Sequence, residues 1–434
     1  MTKVVDVKLW GTIIGYLGYL ENSNIAQFEY DEKFMRSGIY PSPLLMQYPP
    51  SIFSFENISF NTFGGIPGVF SDSLPDKFGN QLIDQFMAQK NIPQDKITTL
   101  DRLLYIGKRG MGALEYHPTE FKNDFKSSGA LDIALLSELA DMVINKKDVL
   151  NKEIENQNKK DAALNLIKIG SSAGGARSKA LVAKKSDGKL YDGTELYDED
   201  CSYWLLKFDS SANKDRDNTD PKGMTKVEYI YSLIARKCKI IIPNTDYIID
   251  KDDFHFMIER FDRVVENNKT TKLHYISWAG MSHYDRDTTG AYSYEQLVLN
   301  AKQLKLGQNE ITQIFRRAVF NVIGRNQDDH TKNFGFLMDK SGKWTLSPAF
   351  DMTYSYDPNG KWTRVHQIKL RNKQDNFTKE DIIEFGKYCN LSEKQSLEIL
   401  AITMKEFLSF EAYADEFKVD TKLKNTVLSS IRKL

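Results

Sequence analysis

The stretch Asn326-Gln327-Asp328-Asp329-His330-Thr331-Lys332-Asn333, followed by Asp351, decides how this chain folds. Asp328 and Asn333 stand five residues apart, and Asp351 follows Asn333 by eighteen. Upstream, residues 311–323 (ITQIFRRAVFNVI) carry apolar side chains at helical spacing. Downstream, Phe334-Gly335-Phe336-Leu337-Met338 reads as a short apolar strand, Lys340-Ser341-Gly342-Lys343 as a hairpin turn, and Trp344-Thr345-Leu346 as the start of the returning strand. The polar cluster therefore follows a helix and opens a hairpin, with the second Asp just past the returning strand. Taken alone it also fits an ordinary polar turn, because Asp and Asn side chains bond nearby backbone.

Protein kinases place a catalytic Asp and a metal-binding Asn at this five-residue spacing, then a second metal-binding Asp further on. The chemistry accounts for the residue types. One carboxylate accepts the proton of a substrate hydroxyl. The other, with a neutral amide oxygen, holds the magnesium that bridges ATP phosphates.

Three more segments carry parts of such a site. Gly170-Ser171-Ser172-Ala173-Gly174-Gly175-Ala176-Arg177-Ser178-Lys179 is a small-residue loop whose amides could approach phosphate oxygens, with Arg and Lys adding charge. It is not a Walker A loop, and alone it fits a hairpin turn equally well. Trp204-Leu205-Leu206-Lys207-Phe208 is an apolar strand with a lysine inside it, and Glu228 opens an apolar-periodic helix. A strand lysine after a glycine loop, paired with a helix glutamate, is a kinase arrangement; the competing reading is an edge-strand lysine and a solvated glutamate. Phe256-Met257-Ile258-Glu259-Arg260-Phe261-Asp262-Arg263 is an alternating strand where adenine would lie, with Glu259 and Phe261 as candidates, or else a strand turning its charges to solvent.

The bulk figures narrow the class. At 434 residues, 41% hydrophobic and 27% charged, the chain has room for two or three globular domains. Lys+Arg and Asp+Glu number 59 each, so no global charge draws it to nucleic acid or a membrane. The three cysteines, Cys201, Cys238 and Cys389, are scattered without metal-ligand spacing and fit a reducing cytoplasm. The N-terminal residues are charged where a secretion signal needs an apolar core, and no uncharged apolar run reaches the ~18 residues of a membrane span.

Along the chain, residues 4–10 and 12–17 read as strands, 79–90 as an amphipathic helix and 98–107 as a short helix. Residues 130–166 have helical spacing, with a highly charged solvated helix or connector over 145–160. Strands are expected at 167–170, 179–185, 202–208, 239–249 and 254–261, and a mobile polar segment at 210–226. Helices dominate beyond 290, several started by the capping-box patterns Ser293-x-x-Gln296, Thr378-x-x-Asp381 and Ser392-x-x-Gln395.

Assembled, these residues resemble the HipA family, the toxin kinases of HipA–HipB toxin–antitoxin modules. The likeness rests on residues 65–76 (GIPGVFSDSLPD), on 170–179, and most specifically on Asn-x-Asp-x-His-x-Lys-Asn at 326–333. The resemblance implies an α+β, two-lobed protein-kinase-like fold: an extra β-rich N-terminal module over 1–105, a region with the glycine loop over 106–263, and an all-helical C-terminal lobe over 264–434. It implies a serine/threonine protein kinase using ATP and Mg2+, with Asp328 as catalytic base and Asn333 and Asp351 as metal ligands. Ser171, Ser172, Ala173, Gly174, Gly175, Ala176, Lys179, Lys207, Glu259, Phe261, His330 and Lys332 are the implied nucleotide contacts. Ser172 is similar to a loop serine that family members autophosphorylate, which silences them, although Ser171 beside it could serve instead. The family implies a protein substrate such as an aminoacyl-tRNA synthetase, a HipB-like helix-turn-helix antitoxin, and DNA contact mainly through that partner. A catalytically silent nucleotide-binding corepressor and a small-molecule kinase remain as alternatives. Ser178 stands where many members have proline, and Asp351-Met352-Thr353 departs from the Asp-Phe-Gly of ordinary kinases.

Overall fold

The computed structural model describes residues 3–119, 129–145, 157–172, 177–210, 214–215, 218–219 and 221–434. The chain opens with β1 (Val4–Leu9), β2 (Thr12–Tyr19), β3 (Ala26–Tyr30), helix α1 (Glu32–Met35) and β4 (Ile52–Phe53). Helices α2 (Phe60–Phe63), α3 (Gly68–Ser71), α4 (Lys77–Gln89) and α5 (Thr99–Ile106) follow, then β5 (Leu114–His117). The strands form one antiparallel sheet in the order β4-β3-β2-β1-β5. Val5, Val7 and Leu9 alternate inward along β1, as a half-buried strand requires. Because β5 pairs with β1, this first sheet reaches past the boundary expected at residue 105.

Helices α6 (Ile133–Ile144) and α7 (Gln157–Gly170) precede β6 (Lys179–Lys185), β7 (Leu190–Asp192) and β8 (Cys201–Lys207). A two-stranded ribbon, β9 (Lys214–Asp215) with β10 (Asn218–Thr219), leads to α8 (Met224–Lys237), β11 (Thr245–Asp250) and β12 (Asp253–Glu259). The second sheet runs β11-β12-β8-β6-β7, so β8 is central and not at an edge. Helices α4, α6 and α7 cover it with the apolar residues Leu82, Phe86, Leu139, Leu166 and Ile167.

The remainder holds β13 (Arg263–Glu266), β14 (Lys269–Lys272), β15 (His274–Ser277), and helices α9 (Trp278–Ser282), α10 (Tyr294–Gln303) and α11 (Gln308–Ile323). Then come β16 (Gly335–Met338), β17 (Trp344–Leu346), α12 (Lys379–Tyr388), α13 (Glu393–Phe407), α14 (Phe410–Glu416) and α15 (Thr421–Ser430). Helices dominate, but the β13–β14 ribbon and the three-stranded β15-β16-β17 sheet mean that this lobe is not purely helical. The hairpin strands β16 and β17 lie where the sequence places them. All three expected capping boxes form, and Thr98 with Asp101 makes a fourth at α5.

Two strand expectations fail. Residues 167–170 are the last turn of α7, because a four-residue apolar run has no period of its own and here completes the buried face of a helix. Residues 239–244 reverse direction instead of extending: Lys239 adopts φ 59° and the Ile240 N–H returns to the Ala235 carbonyl, closing α8. Helix α8 also begins at Met224, ahead of Glu228 and inside the segment expected to be mobile. Residues 211–213, 216–217 and 220 of that segment, and 146–156 of the charged connector, lie outside the described residues.

The opening module is fused to the helical lobe. Helix α3 meets α9 so closely that a Cβ on Gly68 would stand 2.5 Å from the Gly280 carbonyl oxygen. One apolar core spans both, from Val7 and Phe70 to Trp278, Phe320 and Phe385. At the junction after β12, Asp262 accepts from Arg260 Nη2 (2.8 Å), Arg263 Nη1 (2.6 Å) and the Gly112 amide (2.7 Å). Arg263 also donates to the Gly110 carbonyl, so this buried cluster joins both lobes to the first module. No helix among the described residues is long and apolar enough to cross a membrane. Asp262→Ala would strand two buried guanidinium groups, and urea unfolding is expected to show a loss of about 3–5 kcal/mol.

Candidate active site

Each side chain of the cleft is delivered by a distinct element. Lys207 ends central strand β8 and is 6% exposed. Its Nζ lies 2.6 Å from Glu228 Oε1 on α8 and also bonds Asp351, which follows β17. Burial pushes the Lys207 ammonium down, but the charges of Asp351 and Glu228 outweigh it and hold it above the usual lysine value. Burial likewise pushes Asp351 up, yet Lys207, with Lys179 and Arg177 behind it, outweighs this and holds the carboxyl at about 2.

Asp328 lies on the loop between α11 and β16, which is shaped mostly by hydrogen bonds. Ser355 Oγ accepts from the amides of Gln327 (2.7 Å) and Asp328 (2.9 Å). Asn326 Nδ2 donates to Asn321 Oδ1 at 2.9 Å and reaches the Asp351 carbonyl at 3.3 Å, linking the loop to the second Asp. Asn333 Nδ2 donates to the Asp328 carbonyl at 2.7 Å, which fixes the amide and turns its oxygen away from that bond. His330 Nε2 stands 3.8 Å from Asp328 Oδ2, and its Nδ1 accepts from the Lys332 amide. Below, the buried carboxylate of Asp329 accepts from Tyr294 Oη, His366 Nδ1 and the Gln367 amide, each at 2.8 Å.

Asp328, His330, Lys332, Asn333, Asp351, Lys179, Lys207, Glu259 and Phe261 all line one cleft of about 610 Å³. One end is apolar: Phe261 packs at 5.6 Å from both Tyr275 and Phe350, with Met111, Leu205 and Ile258 alongside. The other end is ionic. Glu259 turns its carboxylate to Asn244 Nδ2 (2.7 Å) and its amide to the Asn244 carbonyl (2.8 Å), so neither points into the apolar slot.

Ser171 and Ser172 stand apart from the cleft wall. They follow the last residue of α7, are 0% and 6% exposed, and both hydroxyls donate to the Lys168 carbonyl. A helix end leaves carbonyls without partners, and these two hydroxyls take one of them. Ala173, Gly174, Gly175 and Ala176 lie outside the described residues.

The sequence reading missed the contribution of the first module. Asp72 and Asp76 both reach the cleft. Asp72 accepts from the Ser277 amide (2.6 Å) and hydroxyl (2.8 Å); burial pushes it up while nearby Lys332 pulls it down. Asp76 caps α4 and pairs with Lys179 at 2.8 Å. Burial drives Lys179 down and Asp76 up, each toward neutrality, and their mutual attraction opposes it. The pattern Ser71-Asp72-Ser73-Leu74-Pro75-Asp76 before a helix signals an N-cap but not a partner in the cleft. Ser355 and Asp329 gave no signal that separates them from ordinary polar residues.

A model of the HipA-like C-terminal domain matches residues 171–410, and one of the HipA N-terminal domain matches residues 5–117. Among solved structures, the chain resembles HipA of Shewanella oneidensis MR-1, solved with HipB and its operator DNA. The TM-score is 0.66 at 15% identity, covering 98% of this chain and 94% of that one. The Helicobacter pylori proinflammatory kinase CtkA aligns over 53% of this chain and 85% of its own, at 13% identity and a TM-score of 0.37. No curated protein matches the sequence.

The ionisation of Asp351 has a measurable consequence. Its folded value of about 2 lies below the ordinary 3.8, so between those values the unfolded chain binds a proton that the native one does not. That contribution is complete above the ordinary value and is lost as pH falls toward the folded one. Lys207→Met removes the main holding charge. Urea unfolding from about pH 5 to about pH 2.5 should therefore show the wild type's advantage over the variant shrinking across the window; a constant advantage contradicts the assignment.

Proposed function

Since the chain belongs to the HipA family, we propose that it is an ATP-dependent serine/threonine protein kinase, the toxin of a toxin–antitoxin module. One observation carries this reading: Lys207 is bonded to both Glu228 and Asp351 within the cleft that Asp328 and Asn333 also line. The apolar slot around Phe261, Tyr275 and Phe350 has the character an adenine ring needs. Lys207 and Lys179 then face the phosphates as point charges.

In the proposed reaction Asp328 accepts the proton of the acceptor hydroxyl. That oxygen forms a bond to the γ-phosphorus while the bond from phosphorus to the β–γ bridging oxygen breaks, and ADP leaves with the electron pair. Asn333 and Asp351 are the residues that would hold Mg2+. Among the described residues no cluster of three or more His, Cys, Asp or Glu is suited to a metal. A carboxylate and an amide that rely on nucleotide phosphates for the remaining ligands fit magnesium's habit. Bound there, the ion supplies charge neutralisation at the phosphate oxygens. Ser355 and Asn333 keep the Asp328 backbone in place, so the base needs little reorganisation when substrate arrives.

The finer reading follows the family: a translation protein such as an aminoacyl-tRNA synthetase as substrate, a HipB-like helix-turn-helix antitoxin that carries most DNA contact, and a cytoplasmic setting. Autophosphorylation at Ser172 is the proposed brake. The hydroxyl is now buried against the Lys168 carbonyl, a seat with no room for about two negative charges, so phosphorylation requires this turn to open.

Labelled ATP with magnesium tests the whole proposal. Wild type is expected to label itself or a lysate protein, and Asp328→Gln to lose about 10²–10⁴-fold of the rate while its thermal midpoint stays put. Full activity in that variant removes Asp328 from its role. Absence of any transfer by wild type favours a silent corepressor, and label found only in metabolites favours a small-molecule kinase.

A further inference from the structure

The first module touches both flanks of the segment that links α7 to β6. At the downstream flank, Asp76 Oδ2 accepts from Lys179 Nζ at 2.8 Å, with side chains 7% and 2% exposed. At the upstream flank, α4 lies directly on Ser171. A Cβ on Gly79 would stand 3.0 Å from the Ser171 carbonyl oxygen and 3.2 Å from its Cα. The two contacts have different physics, one ionic and one steric, and both come from the first turn of the same helix. Asp76 serves both: its Oδ1 accepts from the Gly79 amide at 2.7 Å, which caps α4 and fixes the turn that meets Ser171. The seat below is fixed too, since Leu82 of α4 would stand 2.8 Å from a Cβ on Gly170.

We propose that Asp76 is a positioning residue for the nucleotide: it aims Lys179 along the cleft and, through the α4–Ser171 contact, lets the first module set both ends of the 171–179 segment. The part concerning nucleotide rests on the kinase reading, whereas the docking of α4 on the two flanks does not. A buried ammonium is costly to hold without a nearby carboxylate. Asp76 therefore opposes the neutralisation of Lys179 and holds it pointed in one direction before any phosphate arrives. The steric contact at Gly79 supports the same alignment from the other end, because close-packed backbone shifts little without a gap to move into.

Two variants separate the ionic from the steric contribution. Asp76→Asn keeps a good helix N-cap and removes only the charge facing Lys179. Gly79→Ala keeps the ion pair and suits a helix, but its methyl presses on Ser171. In each, the Kd for magnesium and the non-hydrolysable analogue AMPPNP is expected to rise about tenfold, and KM for ATP with it, while kcat changes by less than about twofold. Asp76→Glu, which restores the charge on a longer arm, should recover part of the lost affinity. In nucleotide-free protein, amide exchange at Ser171 and Lys179 should quicken in both variants. Wild-type affinity in both variants, or a fall in kcat as large as the rise in KM, overturns the positioning role. Unchanged exchange at Ser171 and Lys179 overturns the clamp. A wild-type protein that binds no AMPPNP removes the nucleotide role together with the kinase reading, and exchange still decides the clamp by itself.

Discussion

The buried ammonium of Lys207 organises this molecule. Taking such a charge out of water costs several kcal/mol, and it is tolerated only where carboxylates stand beside it. Glu228 supplies one from α8 and Asp351 the other from the segment after β17, so a single cation fixes a central strand, a helix and the floor of the helical lobe relative to one another. Asp351 takes φ 52° to present its carboxylate, a left-handed backbone that non-glycine residues adopt at a cost of roughly 1–2 kcal/mol. Arg325, at the start of the loop before Asp328, sits at φ 55°, and its carbonyl accepts from the Ser355 amide. Both left-handed residues lie where the chain turns to bring Asp328 and Asp351 into one cleft.

A second buried network supports the first. Asp329 receives three donors from α10 and from residues 366–367, and His366 Nε2 meets Arg432 Nη1 at 2.9 Å near the end of the chain. Arg432 also reaches the Val322 carbonyl at 2.6 Å and Gln327 Oε1 at 3.3 Å, next to Asp328. The final residues thus brace the loop from beneath, with the His366 ring placed between Asp329 at Nδ1 and Arg432 at Nε2. Neighbouring aspartates end up with opposite duties: Asp328 faces the cleft and Asp329 is consumed by structure.

The N-terminal module adds the remaining wall. The close approach of Gly68 and Gly280 brings α3 onto α9, where Asp72 reaches Ser277; further along the module, Asp76 reaches Lys179. A side chain at either glycine would hold these two surfaces apart, and one at Gly280 would press directly on Asp72 Oδ2. The shared apolar core across this contact makes the module continuous with the helical lobe that carries Asp328 and Asp351.

Much was legible in order along the chain. The spacing from Asp328 to Asn333 to Asp351, the hairpin at 335–346, the lysine within β8 and the capping boxes are local patterns, set by propensity, periodicity and turn chemistry over a few residues. Their meaning survives folding because neighbours in sequence remain neighbours in space. What the tertiary structure alone decided were encounters between distant segments: Asp76 with Lys179, Asp72 with Ser277, Ser355 under the amides of Gln327 and Asp328, and the split roles of Asp328 and Asp329. Burial decided the ambiguous cases as well, making 167–170 the end of a helix and turning Ser171 and Ser172 inward. A carboxylate carries no local mark of the cation it will meet a hundred residues away; only packing, which chooses which polar groups leave water together, assigns the partner.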